Sequence, residues 1–261
     1  MSPPFRGTLA LLALPLLLSA SLAASNPLQT DLESRWVGNV FFLRGFPSDN
    51  LIRTDATGKP LSPEHAGPWT LASIEVLDVK ISKHDIRIDG ERVAQVYDLP
   101  SHSWQARPLH GSDFAVKIQV RIENPAQLDA NALQAALFYK DADEVSRSLP
   151  EYWRDFVANQ PPPTKPTWTN GATPPKVLSR PDPEFTPAAR QLRAQAEVDT
   201  RIAISARGDV TDAQIVRPAG AGLDEKAVEC VRLWKFQPAR DATGKPMPTT
   251  AVVTMTFKFS H

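Results

Sequence analysis

The chain has 261 residues, and its 29 Lys and Arg balance 29 Asp and Glu for a formal net charge of zero. That balance gives no electrostatic case for nucleic acid or an anionic membrane surface as a partner. The length suits two domains, and a single cysteine, Cys230, excludes an intrachain disulfide.

Residues 1–24 predict an export segment. Arg6 is the only charge, residues 8–22 are nearly all apolar, and Pro15 interrupts the run. Small residues at Ser21, Ala23 and Ala24 suit signal peptidase. The run falls short of the roughly 20 residues that span a membrane. A cleaved signal and a periplasmic mature protein are expected. The alternative is an uncleaved anchor in the inner membrane.

Residues 26–160 predict a mainly antiparallel β domain with helices at its C-terminal end. Residues 36–43 read as a strand closed by Arg44-Gly45. Residues 74–81 alternate, with a register change around Leu77-Asp78 that implies a β-bulge. Ile86 and Ile88 lead into Asp89-Gly90, a two-residue hairpin signal, and the chain returns through residues 93–97. Phe114, Val116, Ile118, Val120 and Ile122 alternate with outward polar residues, the clearest strand in the chain. Asp129 suits the N-cap of a helix reaching about Lys140. Pro150 opens a last helix carrying Tyr152, Trp153, Phe156 and Val157. This domain resembles no family that its residues identify.

Residues 161–175 read as a linker. Pro161, Pro162, Pro163, Pro166, Pro174 and Pro175 favour extended polyproline II, a stiff spacer reaching on the order of 45 Å.

Residues 176–261 predict an α+β unit with two helices on a three-stranded antiparallel sheet. Pro187 opens the first helix, expected to reach about Ala196. Val198, Ile202 and Ile204 then alternate with polar residues, although Thr200 interrupts the apolar side. Gly208-Asp209 turns the chain into a second strand over residues 210–216. Leu223, Ala227, Cys230, Val231 and Trp234 fall at the spacing of one apolar helix face. Glu225, Lys226, Glu229 and Arg232 fall on the opposite face, expected to be wet, and Asp224 suits the positive end of the helix dipole. Val253, Met255, Phe257 and Phe259 form the apolar side of a closing strand.

The hexapeptide Asp-Ala-Thr-Gly-Lys-Pro occurs twice, at residues 55–60 and 241–246. A phosphate loop needs a helix continuous with its lysine, which Pro60 and Pro246 forbid, so both copies read as turns. The five histidines lack metal-ligand spacing. Ser101-His102-Ser103 lacks nucleophile-elbow glycines. No catalytic residue, metal or cofactor is expected, and Cys230 reads as a small core residue.

One stretch of the chain resembles a family. The order helix, hairpin, helix, strand, with Pro187, Gly208-Asp209-Val210, Leu223-Asp224, Trp234-Lys235-Phe236, Pro238-Ala239, Gly244-Lys245-Pro246 and the ending Thr256-Phe257-Lys258-Phe259, resembles the C-terminal domain of the TonB energy transducers. The resemblance covers about residues 175–261. It departs where Thr186 separates Phe185 from Pro187, and where Arg217-Pro218-Ala219-Gly220 replaces a Ser-Ser-Gly-like loop.

The resemblance implies strand addition: an extended peptide of an outer-membrane TonB-dependent receptor pairs beside the last strand, in energy-coupled transport. The implied partner-binding residues are Val252, Val253, Thr254, Met255, Thr256, Phe257, Lys258 and Phe259, with Gln237 and Arg240 at the helix exit. An inner-membrane proton-driven motor is the further implied partner. A homodimer through the same edge is an alternative occupant. A structural envelope role without energy coupling is the alternative function.

Overall fold

The computed structural model describes residues 26–158 and 171–259. The expected export segment and most of the expected linker lie outside the described residues. The first unit opens with helix α1 (Pro27–Trp36), where Asn26 accepts from the Leu28 N–H as N-cap and Pro27 fits the first turn. Strands β1 (Val40–Phe42), β2 (Leu51–Asp55), β3 (Ser73–Ile81), β4 (Asp85–Asp98), β5 (Ser103–Pro108) and β6 (Ala115–Arg121) follow. They form one sheet in the order β1-β3-β4-β6-β2, and β5 pairs the far half of β4. Helices α2 (Ala130–Leu137) and α3 (Ala142–Arg147) close the unit, followed by a 3-10 turn (Glu151–Trp153) running into α4 (Arg154–Val157).

Several sequence expectations are corrected here. Trp36 ends a helix rather than starting a strand, and it is fully buried against Phe138. Asp89-Gly90 makes no hairpin: β4 runs straight through it, and the turn lies at residues 82–85, where the Ser82 N–H donates to the Asp85 carbonyl at 2.8 Å. Gly90 serves a close strand approach instead, since a Cβ there would sit 2.6 Å from the Glu75 carbonyl oxygen. The sheet is mainly antiparallel, as expected, with one parallel pair, β2 with β6. Helix α2 stops at Leu137 because Phe138 turns extended and bridges to Leu43. The bulge in β3 is present, with the register shifting between Val76 and Asp78.

The second unit contains β7 (Lys176–Ser179), α5 (Pro187–Gln191), β8 (Ala196–Ile204), β9 (Val210–Arg217), α6 (Leu223–Val231), β10 (Lys235–Gln237), β11 (Ala239–Arg240), β12 (Pro246–Met247) and β13 (Thr249–Phe257). The main sheet has three antiparallel strands in the order β13-β8-β9. Val198, Ile202, Ile204, Ala213, Ile215, Met255 and Phe257 are buried on its inner side with Leu223, Ala227 and Val231 of α6. Helix α5 is shorter than expected: Arg193 takes φ +48°, and β8 starts three residues later. Both hexapeptides are turns of one geometry. Asp55 Oδ1 accepts from the N–H groups of Thr57 at 2.9 Å and Lys59 at 3.1 Å, and Asp241 Oδ1 does the same for Thr243 at 2.9 Å and Lys245 at 3.0 Å.

The two units are packed into one body. Trp69, Ala94, Leu109, Val145 and Trp153 of the first share a single core cluster with the inner side of the second sheet. The seam centres on residues 218–222, the stretch that departs from the family pattern. The Tyr97 N–H donates to the Ala219 carbonyl at 2.9 Å, the Ala221 N–H to the Gln95 carbonyl at 2.8 Å, and the Gly222 N–H to Thr70 Oγ1 at 2.9 Å. Asp224 is fully buried, and its two carboxylate oxygens each accept at 2.7 Å, from the N–H groups of Ala219 and Gly220. It therefore organises this loop rather than merely facing a dipole.

Glu229 and Arg232 on the polar face of α6 are exposed and Lys226 is half-buried, but Glu225 departs from that face. It is only 8% exposed, and its Oε1 accepts from Trp153 Nε1 at 3.3 Å. The helix is amphipathic for one domain but is covered on a second face by the other. Burial, and then the neighbouring Asp224 charge, push the Glu225 carboxyl up to about 8 from an ordinary 4.5. Its Oε2 has no hydrogen-bond partner among the described residues.

Two predictions follow from the seam. Gly220 has φ +87°, and a Cβ there would fall 2.1 Å from the Gln95 carbonyl oxygen, whereas Gly38 has φ +78° with open space around it. Gly220→Ala should therefore lower stability by at least about 2 kcal/mol more than Gly38→Ala in chemical denaturation, since both incur the φ strain but only one separates the units. For Glu225, the unfolded chain loses its proton near pH 4.5 while the folded chain keeps it to about 8. Stability falls as pH rises through that window, because the folded state binds the extra proton. Glu225→Gln should flatten this slope, raising the Tm at pH 8 relative to the parent while leaving it nearly unchanged at pH 4.5.

Candidate functional site

A three-stranded sheet has two edges, and this chain treats them differently. At the β9 edge, Trp153 reaches Glu225 on the helix side of the sheet. Asp155, 2% exposed, pairs with Arg201 on the other side. Residues 151–157 thus clasp β9 around its edge. Gln214, which sequence alternation would leave on the open face, is 1% exposed beneath this clasp.

At the other edge, β13 pairs with β8 from Thr249↔Ile204 to Phe257↔Ala196 without a register break. Among the described residues, no strand pairs with its outer side. The unpaired N–H and C=O groups of such a strand are a template for an extended peptide. Met255 and Phe257 are buried in the core. Ala251 and Val253 pack against it from the same side. Thr250, Val252, Thr254 and Thr256 point the opposite way and are exposed. Val252 keeps 37% of its surface.

The face beside this edge carries a fixed polar network. Arg217 holds Asp199 with two hydrogen bonds, Nε to Oδ2 at 2.7 Å and Nη2 to Oδ1 at 2.9 Å. Thr254 donates its hydroxyl to Asp199 Oδ1 at 2.6 Å. Burial pushes the Asp199 carboxyl up, but the Arg217 and Thr254 hydrogen bonds outweigh it and hold the group below its ordinary range. This network ties the centre of β13 to β8 and β9 through side chains as well as backbone. Sequence reasoning missed it; Asp199 and Thr254 stand opposite each other only once the register is known.

Phe259, beyond the end of β13, stacks on Phe185 with ring centroids 4.5 Å apart. Lys258 is exposed beside it. The sequence groups Gln237 and Arg240 with this edge, but they lie on a separate ribbon. Gln237 pairs with Lys176 of β7, and the Arg240 backbone exchanges two hydrogen bonds with Thr173, at 2.9 and 3.1 Å. Their main chain is already engaged. That pairing also begins at Thr173, inside the stretch expected to be linker.

Cys230 is buried, and its thiol donates to the Pro181 carbonyl at 3.1 Å. No group of three or more His, Cys, Asp or Glu with metal-holding geometry occurs among the described residues. No described helix is long and apolar enough to cross a membrane.

Residues 181–259 match the family model described as Gram-negative bacterial TonB protein C-terminal. The chain is 32% identical over 74 residues to Protein TonB of Klebsiella aerogenes, covering 28% of this chain and 30% of that one. It is 32% identical over 96 residues to Protein TonB of Klebsiella pneumoniae, covering 36% of each. Against Protein TonB of Escherichia coli K12 it is 29% identical over 77 residues, covering 29% of this chain and 32% of that one. The matched segment thus spans about a third of the length of these curated relatives. A solution structure of the Pseudomonas aeruginosa TonB C-terminal domain aligns with a TM-score of 0.30 and 20% identity, over 38% of this chain and 98% of that one. With β13, β8 and β9 under α6 and this family match over the same residues, the C-terminal part of the chain is a TonB C-terminal domain.

Proposed function

We propose that the chain is a periplasmic TonB-like protein that captures extended segments of outer-membrane receptors by strand addition on β13, in energy-coupled transport. The observation that carries this reading is the asymmetry of the edges. Residues 151–157 of the first unit pack on β9, where Arg154 pairs with Asp212, while β13 has no described strand on its outer side. Affinity would come from main-chain hydrogen bonds along residues 250–257, and Val252, Thr254 and Thr256 would meet the alternate side chains of the peptide. No reactive group takes part, so the reading is of a binding and pulling module rather than an enzyme. A peptide paired along a strand resists shear through several bonds together.

The alternative is an envelope interaction protein that uses the same edge without energy coupling. One observation favours it: the first unit is packed on the TonB C-terminal domain rather than held away from it. An inner-membrane motor would need a membrane-anchored segment to act on, so the mass of the native N-terminus separates the two readings. Retention of residues 1–24 supports coupling. A mature chain beginning near Ser25 supports the uncoupled role, or a motor reached through another protein.

Strand addition itself has a direct test. Met255 is 2% exposed, so a proline there would damage the core as well as the edge. A receptor plug peptide carrying a nitroxide avoids that ambiguity. In spectra of the labelled chain it should broaden amides of residues 249–257 and spare those of β9. Broadening centred on β9 or α6, or none at all, would remove the proposal.

A further inference from the structure

The TonB C-terminal domain has a second strand-accepting edge, and the chain fills it with its own backbone. Residues 173–181 form a strap across residues 235–240. Thr173 exchanges two hydrogen bonds with Arg240, and Lys176, Val177 and Ser179 pair with Gln237, Phe236 and Lys235, with a register shift between Lys235 and Phe236. The Pro181 carbonyl then accepts from the Cys230 thiol.

This pairing is almost wholly main-chain. All four residues of β7 are exposed, and Val177 and Leu178 keep 43% and 67% of their surface. The Arg180 guanidinium lies 6.0 Å from the Trp234 ring centroid, a marginal cation–π distance. By contrast β8, at the centre of the main sheet, buries Val198, Thr200, Ile202 and Ile204 almost completely. A segment held by exposed backbone bonds and little apolar burial opens far more cheaply than such a core strand. The ribbon beneath is fixed. Phe236 is buried, and its N–H donates to the Gly208 carbonyl at 2.9 Å. Gly208 admits this approach because it has no side chain: a Cβ there would fall 1.8 Å from the Phe236 carbonyl oxygen.

We infer that residues 173–181 are a displaceable resident strand, and that residues 235–240 accept in its place an extended peptide from a protein partner. The strap defines the chemistry of that partner. It is an extended run antiparallel to the ribbon, with an apolar side chain opposite Phe236 and no proline at the paired positions. Gln237 and Arg240, which the sequence groups with the receptor-binding strand, become available to a partner's main chain only when the strap leaves. This inference is independent of strand addition at β13, and either can fail without the other.

Cys230 provides the reporter. It is the chain's single cysteine, it is 7% exposed, and burial holds its thiol above the ordinary range. The strap's Pro181 covers it. The probe is a synthetic peptide of residues 171–179, which stops short of the Pro181 that covers Cys230, added in trans to the full-length chain. Saturating peptide should accelerate thiol labelling of Cys230 by roughly tenfold or more, with the near-ultraviolet circular dichroism unchanged. Lys176→Pro, which removes the strap N–H opposite Gln237, should raise the affinity for fluorescent peptide by at least about tenfold. In a C230S background, K176C and Q237C joined by a disulfide should abolish peptide binding. Peptide that binds the locked chain as well as the parent would place the site elsewhere and overturn the inference. Labelling of the parent chain that proceeds only at the global unfolding rate, with or without peptide, would overturn it without reference to any variant.

Discussion

An open β-sheet leaves a row of unpaired backbone groups at each side, and water, the chain itself or a partner must meet both. Here three strands give two edges, and the chain closes one with a second domain. Residues 151–157 reach around β9 from the Glu225 side to the Arg201 side. The clasp is costly to arrange, because it buries Glu225 and Asp155 along with Trp153. Buried carboxylates persist only when paired or neutral. Asp155 is paired with Arg201, and Glu225 keeps its proton well above its ordinary range. That investment goes to one edge only; no described strand lies on the outer side of β13.

The loop at residues 218–222 makes the arrangement possible. The N–H groups of Ala219 to Gly222 donate either to the first unit or to Asp224, and Gly220 must lack a side chain because Gln95 lies against it. A TonB C-terminal domain standing alone has no such neighbour. The loop sequence Pro218-Ala219-Gly220 suits this packing within the chain. The N-terminal unit acts as a fixed partner of the domain that follows it.

Local pattern was enough for much of this. The alternation of Val198, Ile202 and Ile204, the turn at Gly208-Asp209, the inward side of β13 and the bulge near Leu77 all depend on neighbours a few residues away, and all are present. What could not be read depends on segments distant in the chain. Glu225 lies on the polar side of a well-formed amphipathic helix, and nothing within α6 says that Trp153 will cover it. Asp89-Gly90 has hairpin chemistry, but the glycine is required by a strand crossing close by. The backbone pairing of Thr173 with Arg240 comes from a stretch whose prolines read as spacer. In each case a tertiary contact overrode a sound local signal.

The account stands on β13 having one bonded side and one open side. Amide hydrogen exchange of the intact chain measures this residue by residue. Alternate amides along residues 249–257 should exchange fast in the free chain, because every second N–H points away from β8. Those same amides should slow when a receptor plug peptide is added, with β9 unchanged. Uniform protection of β13 in the free chain, or protection gained on β9 instead, would contradict it.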